Sequence, residues 1–230
     1  MKNPIINELL KLKLISNKNL VTLNNRTRDK KIKVIKDLVT NIIFLEKYIT
    51  SNEYYSSTKY KDGRKFSKKT GKTFNNVKTL KGKVKSTVIL DDNRRAHQFK
   101  KLLKNKDVLD FGCGWGGFLK IAKNCKSLNG IELRKDCLNY IKNNLKKINV
   151  SNNIKNFEKK FDIITMFHVL EHVPKQVETL KLLKKKLKKG GKIIIEIPLK
   201  KRITQDRFST KPLMISKLFL ALITLKSIFK

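Results

Sequence analysis

The sequence predicts an α/β fold: a Rossmann-like, doubly wound and mostly parallel sheet with helices on both faces. Three observations predict it. From residue 91 onward, short apolar runs of strand length alternate with stretches of helical periodicity. A glycine-rich segment, Gly112-Cys113-Gly114-Trp115-Gly116-Gly117, follows the first of those runs and opens a helix. Gly190-Gly191 and Pro198 then punctuate the last helix and the last strand. Strands separated by helices pair in parallel through crossovers, and such sheets bind ligands beyond the carboxyl ends of their strands, where the winding reverses.

The elements follow in order. Apolar positions at helical spacing in residues 4–15 and 29–50, among them Ile32, Ile35, Val39, Ile42 and Ile43, read as an N-terminal helical appendage. From Ser51 to Ser86 the pattern gives way to Lys, Gly, Ser, Thr and Asn interleaved with Tyr54, Tyr55, Tyr60, Phe66 and Phe74, the composition of a basic lid or linker. A helix is expected over 92–104, a strand over Val108–Phe111, a helix over 116–124, and a strand over Leu128–Leu133. A helix over 135–147, a strand over Phe161–Phe167, a helix over 175–188 and a strand over Lys192–Ile197 complete the regular part. The chain thus divides into residues 1–90 (appendage and lid), 91–198 (core) and 199–230 (basic and apolar tail).

Composition bounds the function. A chain of 230 residues holds one ordinary domain with an appendage. The formal charge of +37 suggests a polyanion or an anionic membrane surface as partner. The excess is mostly lysine in a chain rich in Asn and Ile, which fits a compositional bias; specific phosphate and base recognition favours arginine. Nucleic acid is therefore a possible partner and not the favoured one. Cys113, Cys125 and Cys137 form neither a C-x-x-C pair nor a His-rich cluster, so neither a metal site nor a disulfide framework is expected, and a reducing cytoplasm fits. No apolar stretch has the length of a membrane span or of a secretory leader; weak contact of the tail with a membrane surface is compatible with its pattern. The sequence does not indicate an oligomeric state.

The glycine segment satisfies G-x-G-x-x-G through Gly112, Gly114 and Gly117, which alone would suggest a dinucleotide. Glu132, at the end of the second strand, can accept hydrogen bonds from the ribose of any adenosine cofactor. Asp110 discriminates, because a carboxylate just before the loop repels a pyrophosphate and suits an ammonium or a sulfonium. A nicotinamide-dependent reductase using the same glycines is the competing reading.

The run Val108-Leu-Asp-Phe-Gly-Cys-Gly-Trp-Gly-Gly-Phe-Leu119 resembles the signature loop of class I S-adenosylmethionine (SAM) dependent methyltransferases. The resemblance continues through Gly130-Ile131-Glu132, Phe161–Val173 and Leu187–Pro198, about half the chain. Val169-Leu-Glu-His-Val173 is most similar to the branch of ubiquinone-type O-methyltransferases and other small-molecule methyltransferases.

The resemblance implies SAM as cofactor and a small-molecule acceptor methylated on O or N. It implies that Asp110, Gly112 and Gly114 line the cofactor's methionyl end, with Phe111 and Cys113 also among the cofactor-binding positions, that Glu132 holds the ribose, and that Leu133 packs on the adenine. Phe167 and His168 would border the methyl-transfer position. His168 is the first candidate for a base, with Glu171 and His172 behind it; Asp162 reads as structural and His97 as surface or packing. The expected third strand with a polar adenine partner is not obvious between Asn149 and Phe161, where Asn153, Ile154 or Asn156 could substitute. The resemblance also implies a further helix and two strands after Pro198, so the chain reads as shortened at its C-terminus. An RNA methyltransferase using the basic Lys59–Lys85 segment, and an inactive SAM-binding relative, are the alternatives.

Overall fold

The computed structural model describes residues 3–26, 31–48, 65–67, 72–74 and 87–197. The described residues form two compact units. One contains the residues before Ser51, those of His168–Lys184 and those from Ile195 onward; the other contains the residues between Asn52 and Phe167 and those of Lys185–Ile194.

In the first unit, helix α1 (Pro4–Lys11) starts where Asn3 accepts a hydrogen bond from the Ile5 amide (2.9 Å), with Pro4 at its first position. Ile5, Ile6 and Leu9 form its buried face. Strands β1 (Leu20–Asn24), β2 (Val34–Asp37) and β3 (Ile43–Leu45) make an antiparallel sheet in that order. The helix expected across 29–50 is therefore corrected. Its apolar residues are largely β-branched, and a helical spacing over so short a run fits two strands equally well. The turn between the strands decides. Asp37 accepts from both the Thr40 amide and hydroxyl (2.7 Å each), and Asn41 takes a left-handed φ of 60°.

The second unit carries the sheet expected from the sequence. The backbone pairs β4 (Lys65–Ser67) antiparallel with β5 (Lys72–Phe74). Next come α2 (Thr87–Gln98), α3 (Lys100–Leu103), β6 (Asp107–Phe111), α4 (Gly117–Ile121), β7 (Ser127–Ile131), α5 (Lys135–Asn144), β8 (Ile148–Ser151) and β9 (Phe161–Phe167). Helix α6 (Gln176–Lys185), almost wholly in the first unit, precedes β10 (Leu187–Glu196), most of which lies in the second. The strand order is β10-β9-β6-β7-β8, and β6 pairs in parallel with β7 and β9, as does β7 with β8. The third strand is thus present as β8. Consecutive buried residues Val108, Leu109 and Asp110 in β6, and Ile163 to Met166 in β9, fit strands covered on both faces.

Several boundaries differ from expectation: the helix expected over 92–104 is divided into α2 and α3, α4 and α5 end at Ile121 and Asn144, β7 ends at Ile131, and the largest shift lies between α6 and β10. Helix α6 ends at Lys185 rather than 188, and β10 already starts at Leu187. The cause is Lys188, whose ammonium reaches Asp107 (2.6 Å) and Asp162 (2.9 Å) at the amino ends of β6 and β9. Gly191 follows where a Cβ would lie 3.0 Å from the Lys188 carbonyl and 3.1 Å from that of Asp162, so the glycine pair lies inside the strand. The expectations for Ser51–Ser86 fall almost wholly, and those for 199–230 wholly, outside the described residues. Among the described residues, no helix is long and apolar enough to cross a membrane.

Asp162 also accepts the Asp107 amide (2.8 Å), so its carboxylate links β6, β9 and Lys188. Asp162→Ala is expected to lower unfolding stability by about 1.5–3 kcal/mol, the worth of charge-assisted hydrogen bonds, measured by urea denaturation. An unmoved midpoint would show that the knot contributes nothing. Bonds from Lys188 and Ser127 hold the Asp107 carboxyl down to about 2. Its contribution to stability is present in full above a pH of roughly 4 and is lost as the pH falls through about 2.

Candidate functional site

Strand β6 lies between β7 and β9, so the chain winds outward in one direction through β7 and β8 and in the other through β9 and β10. The carboxyl end of β6 is the switch point of the sheet. There the chain reverses through Gly112, Gly114 and Gly116, with φ of 83°, 54° and 73°, values that residues with a Cβ rarely adopt. Gly117 begins α4 so close to α2 that a Cβ would meet the Asp92 carboxylate at 2.2 Å.

The loop's amides are satisfied from within. Those of Gly112 and Cys113 both donate to the Ile131 carbonyl (2.8 and 3.0 Å), that of Gly114 to Glu132 Oε2 (2.8 Å) and that of Gly116 to the Cys113 carbonyl (2.9 Å). Phosphate-binding glycine loops work by turning such amides toward the ligand. Here four of them are already engaged. The Cys113 side chain is buried and packs against Gly130, where an added Cβ would stand 2.6 Å from its sulfur, so only the Cys113 backbone borders the loop.

Three carboxylates gather around this loop. Asp110 is 4% exposed and accepts the Thr165 hydroxyl from β9 at 2.6 Å. Burial pushes its carboxyl up to about 7, with Asp92 and Glu132 adding to the rise while Thr165 and Arg95 oppose it. Asp92 lies one turn before Arg95 on α2, 3.5 Å from its guanidinium. Arg95 in turn lies over the Phe167 ring at 4.7 Å, and that ring stacks with Phe99 and meets Phe118 edge-on. Glu132 follows β7; its Oε1 accepts the amides of Leu133 (2.8 Å) and Arg134 (3.0 Å). Its Oε2 has one donor, Gly114, and retains capacity for another.

Around the β7 exit, Leu133 is 53% exposed, an apolar side chain open to a flat ligand. Beside it, Arg134 lies 5.2 Å from the Trp115 ring centre, and Trp115 meets Tyr140 edge-on. After β8, Asn153 accepts the Lys155 amide and Asn156 donates to Ser151, while Ile154 is buried. The two asparagines thus form a hydrogen-bonded turn at the place where the sequence offered a polar partner for an adenine.

The first unit holds a second cluster. His168, immediately after β9, has a left-handed φ of 57°, and its amide donates to the Glu196 carbonyl (2.8 Å). Its Nε2 lies 3.1 Å from Glu196 Oε1 and its Nδ1 3.5 Å from Glu171 Oε1. Glu171 and Glu196 together raise the imidazole to about 9 against the cost of burial. With both nitrogens facing carboxylates, His168 is favoured in its imidazolium form at neutral pH. Glu171 Oε2 is buried with no hydrogen-bond partner among the described residues. His172 is exposed, and its carbonyl accepts the Tyr48 hydroxyl at 2.6 Å. His97 is exposed on α2.

The structure thus brings Asp110, Gly112, Gly114 and Glu132 together, and adds Asp92, Arg95 and Thr165, which sequence reasoning missed. A hydroxyl inside the apolar run Phe161–Phe167 was the available signal for Thr165. Asp92 and Arg95 look like an ordinary solvent-facing i,i+3 pair until α2 packs over the loop.

A family model described as a methyltransferase domain matches residues 89–216, more than half of the chain. The chain is 31% identical over 123 residues to the ubiquinone biosynthesis O-methyltransferase of Coxiella burnetii (strain Dugway 5J108-111), covering 49% of this chain and 52% of that protein. It is 36% identical over 104 residues to the tRNA U34 carboxymethyltransferase of Nautilia profundicola, covering 41% of this chain and 35% of that protein. The chain spans about half, or less, of the length of the curated relatives it matches. Among solved structures, an S-adenosylmethionine-dependent methyltransferase from Clostridium acetobutylicum ATCC 824 is similar at 22% identity and a TM-score of 0.41, over 48% of this chain and 50% of that one.

The imidazole of His168 should titrate by NMR near 9, and Glu171→Gln should bring the midpoint down toward the ordinary value of roughly 6.5. Because the folded value is raised, the cluster's contribution to stability is full below a pH of about 6.5 and is lost as the pH rises through about 9. A midpoint near 6.5 in the unaltered protein would refute the ion-paired arrangement.

Proposed function

The chain belongs to the methyltransferase-domain family, and on that premise we propose that it is a SAM-dependent enzyme that transfers a methyl group to an oxygen or nitrogen atom of a small-molecule acceptor. The observation that carries the reading is the glycine loop. Its amides are turned inward and its surroundings are acidic, which disfavours a pyrophosphate and suits a ligand bearing an ammonium and a sulfonium. The fit of the residues supports the cofactor. Gly114 opens on space where a Cβ would meet nothing within 4 Å, Glu132 Oε2 can accept a ribose hydroxyl, and exposed Leu133 offers an apolar face to an adenine.

When bound, SAM supplies a methyl group already activated for in-line displacement, so the protein's work is alignment, exclusion of water and, for a hydroxyl or ammonium acceptor, removal of a proton. Asp110, with Phe111 and the loop backbone of Gly112, Cys113 and Gly114, supplies the floor at the methionyl end. Phe167, locked by Phe99, Phe118 and Arg95, is a rigid apolar wall. Within the first unit, His168 and Glu171 are the candidates for proton acceptance, and Glu171 Oε2 has no hydrogen-bond partner among the described residues. His172 ranks behind both. The free thiols of Cys113, Cys125 and Cys137 support a reducing compartment such as the cytoplasm.

A second reading, with RNA as acceptor, is favoured by the charge of +37 and by the likeness to a tRNA-modifying enzyme. Strongly salt-dependent RNA binding that persists near physiological ionic strength would select it over the first.

Titration calorimetry separates the cofactor reading from a dinucleotide one. S-adenosylhomocysteine (SAH) should bind, NAD should not, and Glu132→Ala should weaken SAH binding by about tenfold to a hundredfold through lost charge-assisted hydrogen bonds. Binding of NAD, or SAH affinity unchanged in the variant, would defeat the assignment. Transfer of isotope-labelled methyl to a panel of phenols and amines is the accompanying test of activity.

A further inference from the structure

The acid at the end of β6 has an unusual set of neighbours. Asp110 is almost fully buried, its carboxyl is bonded to the neutral hydroxyl of Thr165, and no lysine or arginine forms an ion pair with it among the described residues. Facing it from α2 are Asp92 and Arg95, which pair with each other at 3.5 Å. Facing it from the β7 exit is Glu132, held by three backbone amides. Its neighbour in the loop is the Cys113 thiol, which burial keeps well above its ordinary range and so uncharged. Among the described residues, Asp110 therefore shares its surroundings with two other carboxylates and the Arg95 guanidinium, which also meets Asp92 and the Phe167 ring. A buried carboxylate so surrounded is favoured in its charged form only when a further cation arrives.

Resting on the cofactor reading above, we propose that Asp110 is a charge-sensing residue of the cofactor site: it is protonated in part in the free protein and ionises when the sulfonium of SAM is bound, which favours SAM over SAH. The proton leaves the carboxyl for solvent, and SAM affinity rises with pH until Asp110 is already ionised. The value of about 7 for the free protein puts this titration within the physiological range. SAH has the same α-ammonium and the same ribose but lacks the methyl group and, with it, the sulfonium charge. The pH dependence of the affinity ratio, rather than its value, therefore isolates what Asp110 senses.

The test is calorimetry of SAM and SAH, without acceptor, at pH 7 in two buffers of different ionisation enthalpy. SAM should release a measurable fraction of a proton per site, and SAH should release clearly less. From pH 6 to pH 8 the SAM-to-SAH affinity ratio should rise about threefold or more. Asp110→Asn should abolish both effects. Thr165→Val, which removes the one hydroxyl donor, should move the midpoint upward and keeps the test open if the asparagine variant does not fold. Equal proton release for the two ligands, with a pH-independent ratio, would overturn the proposal. Failure of both ligands to bind would defeat the cofactor reading instead.

Discussion

Much of the second unit follows from a carboxyl group held out of water at the end of its central strand. Strand β6 is buried on both faces and flanked by β7 and β9, so the side chain of Asp110 must find its partner inside the sheet. Register supplies it, because Asp110 and Thr165 are paired positions of β6 and β9. With the strand pinned there, the chain has to leave through a reversal that only successive left-handed glycines allow. That reversal carries the amides of Gly112 and Cys113 onto the Ile131 carbonyl and the amide of Gly114 onto Glu132. The loop is thereby closed to phosphate and left acidic.

The same sheet carries acids at both ends, and their partners distinguish the roles. At the amino ends of the strands, Asp107 and Asp162 share Lys188, and Lys159 approaches Asp107 as well. Their charges are neutralised by lysine and their work is to tie β6, β9 and β10 together. At the carboxyl ends, Asp110 accepts a hydroxyl and Glu132 accepts backbone amides, and neither forms an ion pair with a lysine or arginine among the described residues. Acids left in that condition are the ones able to answer a cationic ligand. His168 is the reverse case, a cation fixed by two carboxylates, and its left-handed backbone marks where β9 must turn away.

The core of the sheet was legible because its signals are local. Apolar runs followed by glycine mark β6, and Phe161–Phe167 was recognised residue for residue. The N-terminal sheet was not legible because Ile32, Ile35, Ile42 and Ile43 satisfy helical spacing by coincidence, and the turn made by Asp37, Thr40 and Asn41 is what breaks it. At the site, Asp110 and Glu132 could be read from their places after strands. Three further facts depend on tertiary approach that no spacing encodes: α2 laying Asp92 against Gly117, the Cys113 thiol turning toward Gly130, and two carboxylates meeting the two nitrogens of His168.

The overall charge makes this arrangement more telling. A chain with 55 basic and 18 acidic residues presents a positive field to its surroundings, which repels a cationic ligand at a distance. Screening limits that field to about 8 Å at physiological ionic strength, whereas charges in a buried site are screened far less. Close to the loop, among the described residues, the carboxylates of Asp92, Asp110 and Glu132 stand with the guanidinium of Arg95, while Arg134, over Trp115, is paired with Asp136. Had the loop been built for an anion, the cheapest design in so lysine-rich a chain would have placed lysine there. Acids at that point, held at a cost in desolvation, are intelligible as recognition of positive charge.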